Sequence, residues 1–211
     1  GGFKWLDARP WVPLRRRALL QAERWVMDRF DGSEGLGAIF PPMVWSVIAL
    51  DCLGYGRESE PMQYCLDQLE RLVLDDGEIA RVQPCKSPVW DTSIALRAMT
   101  ASSDGVGRPE TARASRWLLD RQVMRRGDWS ETVEGECGGW SFEYANEFYP
   151  DLDDTAMVAM ALAEQFGDDG EGYLKVVSET AAADEAGREE LLARATSAIA
   201  AGEQWICAMQ N

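Results

Sequence analysis

Pro150-Asp151-Leu152-Asp153-Asp154-Thr155-Ala156 places three carboxylates within four residues, directly ahead of the apolar run Ala156 to Ala163. Acids and Thr in a first helical turn suit the macrodipole and the unpaired N–H groups of any surface helix, so the pattern has a purely structural explanation. The sequel argues against it. A helix that is apolar all round is buried, and carboxylates at its mouth face a cavity rather than bulk water. Three acids crowded there cannot all ionise, so at least one is expected to have a raised pKa and to hold a proton at neutral pH. Such a group donates protons. Alternatively, the same triplet could hold Mg²⁺ and through it a diphosphate, because hard cations favour carboxylate oxygen.

Aromatic neighbours bear on that choice. Trp140, Phe142, Tyr144, Phe148 and Tyr149 precede the acids, and Trp90 lies in an earlier apolar segment. Aromatic faces stabilise cations by roughly 0.5–2 kcal/mol each, which is what a carbocation formed by alkene protonation needs. No basic cluster stands ready for a diphosphate. His is absent, which removes Ser-His-Asp and Cys-His nucleophiles and HExxH zinc sites. Lys+Arg 21 against Asp+Glu 36 gives a net charge of −15, a surface that repels nucleic acid. Five cysteines, odd in number and without a CxxC pair, read as buried thiols in a reducing compartment. No signal sequence or apolar run of spanning length is present.

The elements that must position these groups read as helices, near Pro13–Phe30, Met43–Leu53, Ser59–Leu74, Pro88–Thr100, Arg108–Gln122, Asp153–Phe166 and Arg188–Met209. No alternating strand competes with them. Met43–Leu53 is apolar enough to predict burial on most sides. Trp25, Trp117 and Trp205 occupy one position of a repeated pattern, Ala-Glu-Arg-Trp in the first copy and Ala-Ser-Arg-Trp in the second. Apolar helices alternate with these amphipathic ones, the mark of an α-solenoid or a closed α/α barrel. Gln122, followed by Gly127-Asp128-Trp129, is expected to cap a neighbouring helix end with the indole stacked on it. In the first copy Phe30 and Glu34 replace Gln and Trp, which predicts a weak or absent brace. Trp5 and Trp11 are read as structural, like the repeat tryptophans. The start at Gly1-Gly2-Phe3 and the end within the third copy lead us to expect a fragment.

With these residues in view, the chain resembles the squalene–hopene cyclases, class II triterpene cyclases of bacteria. Asp151 to Ala156 resembles their DxDDTA motif, Ser87-Pro88-Val89-Trp90-Asp91-Thr92 their SPVWDT segment, and Gly37-Ala38-Ile39-Phe40-Pro41-Pro42 their GxIxPP turn. Gly138-Gly139-Trp140-Ser141-Phe142 is similar to their GGFxF segment, and Trp117 to Trp129 to their QW repeat. The resemblance implies an all-α fold, an α/α barrel (toroid) built of QW-type repeats and incomplete over residues 1–211, which would belong to the catalytic region of a longer two-domain cyclase.

It further implies acid-initiated cyclisation of squalene to hopene or hopanol, with no metal and no cofactor. Asp153 corresponds to the general acid, with Asp151 and Asp154 as its acidic neighbours; Trp90, Phe142 and Ile39 correspond to cavity-lining residues. Asp91 is read as structural support. The family's supporting His has no counterpart among these residues. Implied partners are squalene and, through the full-length enzyme, the cytoplasmic face of the bacterial inner membrane as a monotopic protein, with a homodimer as one assembly state; nucleic acid is not among them. The 211 residues alone are expected to be inactive on squalene and either aggregation-prone or partly folded. Alternatives are a cyclase of diterpene or other polyprenoid substrates, and a noncatalytic α/α-repeat protein binding peptides or lipids on its concave face.

Overall fold

Apolar residues at helical spacing, broken by Pro and Gly, yield seven α-helices in the computed structural model, which describes residues 14–102, 108–167 and 185–210. They are α1 (Arg15–Asp28), α2 (Phe40–Leu53), α3 (Glu60–Glu70), α4 (Pro88–Thr100), α5 (Pro109–Leu119), α6 (Leu152–Phe166) and α7 (Glu185–Ala208). Pro in the first turn starts α2, α3, α4 and α5, where its missing N–H costs nothing. Gly54 ends α2 in the left-handed conformation that favours glycine. Trp5 and Trp11 lie outside the described residues. No described helix is long and apolar enough to cross a membrane.

The expected helix Ser59–Leu74 is too long. It stops at Glu70, and Val73–Asp75 pairs antiparallel with Ala80–Val82 as β1 and β2. The turn explains the break: Asp76 accepts the N–H groups of Glu78 and Ile79, and Gly77 adopts φ +86°. Local carboxylate-to-backbone bonds compete with helix continuation at such sites.

Two cores form. The larger gathers Val89 and Leu96 of α4, Leu118 and Leu119 of α5, Val158, Ala161 and Leu162 of α6, and Leu191 and Ala195 of α7 around Trp140. The smaller joins Leu50 of α2 to Met62 and Cys65 of α3, with Met27 and Phe30 packed against it. All five cysteines are free, but the burial expected of them is found only at Cys65, whose thiol it pushes up to about 11; Cys52 and Cys207 are exposed. The burial expected on most sides of Met43–Leu53 is not found, for among the described residues only α3 packs broadly against it. Met43, Ser46 and Leu50 are buried, whereas Trp45 and Ile48 face outward. Nor is α6 enclosed all round, since Met160 and Leu152 are exposed.

The repeat brace also differs from expectation. Gln122 Nε2 donates to the carbonyls of Gly138 and Ala198, at 2.8 and 2.9 Å, and Ala198 lies inside α7 rather than at an end. The Trp129 indole meets Trp205 edge to face, with ring centroids 6.0 Å apart, instead of stacking on a helix terminus. Trp205 is fully buried, whereas Trp25 is exposed, packed under the Arg29 guanidinium. In the first copy Phe30 packs on Tyr64 in place of a Gln brace.

Trp140 anchors the larger core. Its indole Nε1 donates to the Leu118 carbonyl at 2.7 Å, and its ring lies against Gly202 of α7. In an exposed helix Gly→Ala gains about 1 kcal/mol. Here a Cβ on Gly202 would stand 2.9 Å from Trp140, a fully buried ring with no room to retreat. The overpacking penalty of ~1–3 kcal/mol outweighs the propensity gain. Gly202→Ala should therefore lower the melting temperature by a few degrees, and calorimetry finding it higher than wild type would refute this packing.

Candidate functional site

Asp151 is the N-cap of α6, and its carboxylate accepts the Asp153 amide N–H at 2.8 Å. A short polar side chain in extended conformation ahead of a helix does this by default. The cap is then fastened from outside. The Asp151 N–H donates to the Trp140 carbonyl at 2.7 Å, and the Trp140 N–H donates to Thr155 Oγ1 at 2.9 Å. The Thr155 hydroxyl in turn donates to the Asp151 carbonyl. Hydrogen bonds thus tie the start of α6 to Trp140 and the segment that follows it.

Two further segments are stitched to that piece by backbone bonds. The Val89 N–H reaches the Phe142 carbonyl, the Phe40 N–H the Pro84 carbonyl, and the Lys86 N–H the Ala38 carbonyl. Gly35, Leu36, Gly37 and Ala38 all have positive φ, a conformation that costs Leu and Ala about 1–3 kcal/mol each. This turn brings Gly37 and Ile39 to the rim of the site, where Ile39 stays exposed. Between the segments lies a cavity of about 410 Å³ lined by Gly37, Ile39, Trp90, Phe142, Glu143, Asn146, Tyr149 and the acids Asp151, Asp153 and Asp154. All six residues singled out in the sequence as acids or cavity wall meet there.

Within the triplet the environments differ. Asp153 is exposed at the opening, Asp151 is committed to its cap, and Asp154 is 2% exposed with its Oδ1 lacking any hydrogen-bond partner among the described residues. Burial pushes the Asp154 carboxyl up to about 7, helped by the negative charges of Asp151, Glu143 and Asp153. The crowding expected to raise one acid acts on the buried Asp154, whereas Asp153, which corresponds to the family's general acid, is exposed. Asp91 accepts from Ser87 Oγ at 3.1 Å in the first turn of α4 and does not line the cavity.

Of the aromatics near the motif, only Phe142 and Tyr149 join Trp90 in the wall. Trp140 is in the core, Tyr144 turns to Trp117 at 6.1 Å, and Phe148 lies beneath Arg29 and Arg125. An irregular loop sends successive side chains in unrelated directions, so closeness in sequence did not predict a shared cavity. Tyr149 is held by its hydroxyl, which donates to Asp128; Asp128 is paired with Arg29, itself almost buried and stacked on Trp25. The Arg29 guanidinium keeps the Asp128 carboxyl below the usual range, and burial beside that charge raises the Tyr149 phenol.

Glu143 is the residue that sequence reasoning missed. It is 2% exposed, accepts from Asn146 Nδ2 at 2.9 Å, and burial raises its carboxyl to about 7. A Glu between Phe142 and Tyr144 carries no sign of burial; only the loop closing over it does this.

Residues 86–211 match the family profile described as squalene–hopene cyclase C-terminal domain, and residues 1–78 match squalene–hopene cyclase N-terminal domain. The chain is 33% identical to a squalene–hopene cyclase of Bradyrhizobium diazoefficiens over 99% of its own length and 30% of the relative's. It is 38% identical to an enfumafungin synthase of Hormonema carpetanum, covering 72% of the chain and 12% of that protein. A dammaradiene synthase of Dryopteris crassirhizoma is 34% identical over 76% of the chain and 24% of the relative. The chain thus spans less than a third of the length of these curated relatives.

Glu143 and Asp154 both titrate higher in the folded chain than unfolded carboxyls, near 7 against about 4. Between those values the folded state binds more protons, so the stability linked to these groups is complete below about pH 4 and is lost as pH rises through 7. Asp154→Asn should flatten this dependence and, after solvent screening, raise stability at pH 8 by ~1 kcal/mol, roughly 2–4 °C in melting temperature. Calorimetry at pH 5 and pH 8 checks it; an unchanged slope would remove Asp154 as the cause.

Proposed function

Because the chain belongs to the squalene–hopene cyclase family and so carries part of its α/α-barrel fold, we propose that it supplies the acid end of a squalene-cyclising cavity. In this reading residues 1–211 are part of the catalytic barrel region of a longer two-domain enzyme. That enzyme sits as a monotopic protein on the cytoplasmic face of the inner membrane, from which it takes squalene, and a homodimer is compatible with the reading. The observation that carries it is convergence: an acid triplet and the side chains of Ile39, Trp90 and Phe142, drawn from four separate stretches of sequence, line one cavity.

The chemistry follows from the environment. Squalene offers only carbon–carbon double bonds, so the first step is transfer of a carboxyl proton from Asp153 to a terminal alkene carbon, leaving a tertiary cation and an aspartate. Asp153 faces the opening of the cavity, where a substrate end can reach it, and has neighbours in the buried Asp154 and the capping Asp151. The π electrons of the next alkene then close each ring and pass the positive charge along the folded chain. Trp90, Phe142 and Tyr149 line the cavity that would hold that path, and Ile39 supplies apolar wall that does not capture the cation. Loss of a proton gives hopene; capture of water gives hopanol. The names of several relatives support squalene as the substrate.

Asp153→Asn in the complete enzyme should cut product formation from squalene, followed by gas chromatography, by at least about 100-fold while leaving the fold unchanged, because the nearly isosteric amide has no acidic proton. Turnover close to wild type would exclude Asp153 as the acid. Turnover by the unmodified enzyme is expected to persist in EDTA; if chelation stops it and Mg²⁺ restores it, the acids bind a metal and the diphosphate reading replaces this one.

A further inference from the structure

Glu143 has no part in the mechanism above, yet its position is unusual for a glutamate. Its carboxyl is almost completely buried, lines the same cavity as the acid triplet, and among the described residues meets one side-chain donor, Asn146 Nδ2. Asn146 is itself occupied: its Oδ1 accepts the N–H groups of Phe148 and Tyr149, which sets the amide orientation and turns Nδ2 toward Glu143. Across the cavity Asp154 Oδ1 is buried and has no donor among the described residues. Two buried carboxyls therefore face one small space.

We propose that Glu143 is a positioning residue of this site, acting through Asp154: its carboxyl, held by Asn146 on the cavity wall, governs the charge on Asp154 and so the readiness of Asp153 to release its proton. The inference rests on the reading of Asp153 as the acid. The logic is electrostatic. When either Glu143 or Asp154 is ionised, a second charge on the other is costly, so the pair retains one proton, and removing Glu143 removes that restraint on Asp154. Asp153, next to a neutral Asp154, then ionises against one less negative neighbour and is the stronger acid. Without Glu143, Asp154 ionises sooner and Asp153 must give up its proton beside a carboxylate.

The other ionisable groups around the pair are few. Glu34, from the loop ahead of α2, and Asp151, from the cap of α6, both raise the Glu143 carboxyl; Asp151 and Asp153 do the same for Asp154. Glu34 is engaged in accepting the Tyr144 N–H, and Tyr149 lines the cavity with its hydroxyl on Asp128. Helix α4 contributes Trp90 alone to the lining, with no charge. Apart from Glu143, then, the charges acting on Asp154 come from its own helix start.

The test is carboxyl-resolved infrared difference titration of the complete enzyme without substrate, with the Asp154 band assigned by Asp154→Asn. In Glu143→Gln, which keeps shape and can keep the Asn146 contact, the Asp154 midpoint should fall by about half a pH unit or more. Glu143→Asp, which restores the charge, should recover most of that fall. Coupling is reciprocal, so the Glu143 midpoint in Asp154→Asn should fall by a similar amount, a measurement that serves even if Glu143→Gln fails to fold. In the complete enzyme Glu143→Gln should slow squalene turnover at neutral pH without raising KM, and Glu143→Asp should restore most of it. Midpoints unchanged within about 0.2 unit, or an equal fall in the Gln and Asp variants, would overturn the proposal. Because the titration uses no substrate, a failed Asp153→Asn test would remove the functional reading while leaving the measured coupling standing.

Discussion

The exchange of hydrogen bonds between Trp140 and the start of α6 is the constraint on which the rest depends. Trp140 gives its N–H to Thr155 and accepts the Asp151 N–H, while its indole reaches across the core to Leu118. A residue with no solvent exposure thus sets the height of the acid triplet against the cavity wall. Phe142 and Glu143 follow two and three residues later along the same tether. Any rotation of α6 would break buried hydrogen bonds, each costing ~1–3 kcal/mol, so the acids cannot drift independently of the aromatic wall.

That rigidity is matched by an outer ring of polar contacts. Arg29, Asp128 and Tyr149 form a chain that joins α1 to the 3₁₀ turn Asp128–Glu131 and to the cavity wall. Trp25 lies under the guanidinium, and Gly127 approaches Phe148 so closely that a Cβ would overlap its carbonyl oxygen. The repeat positions thus serve two ends. Trp205 and Trp129 close a core, whereas Trp25 supports the arginine that orients a cavity residue.

Buried acids oppose this order. Placing Asp154 and Glu143 away from water raises the free energy of their charged forms, and the fold tolerates this because the protonated forms cost less. The helix start softens the penalty, since the exposed N–H groups of a first turn favour negative charge nearby. The site therefore holds two exposed carboxyls, one of them committed to the helix cap, and one buried carboxyl within one turn of helix. That gradation separates it from an ordinary acidic helix start, in which all three would face solvent.

Much of this was legible in the residues themselves. Spacing of apolar positions and the Pro and Gly breaks located the helices, and the types and order of Ile39, Trp90, Phe142 and the acid triplet identified the family and the residues that meet in the cavity. These are local or compositional properties, readable without coordinates. The β1–β2 hairpin was not legible, because a three-residue strand carries too little periodicity to be told from a helix end. The state of each acid was not legible either: Asp153 and Asp154 are adjacent and alike, and only the packing of α6 against its neighbours exposes one and buries the other. Glu143 lay further still from sequence inference, since its burial depends on backbone bonds that bring residues 37–39, 84–89 and 139–151 together. Desolvation is a property of all the atoms around a group, and for these carboxyls most of those atoms come from distant parts of the chain; hence the tertiary structure alone decided which carboxyls are buried and pushed upward.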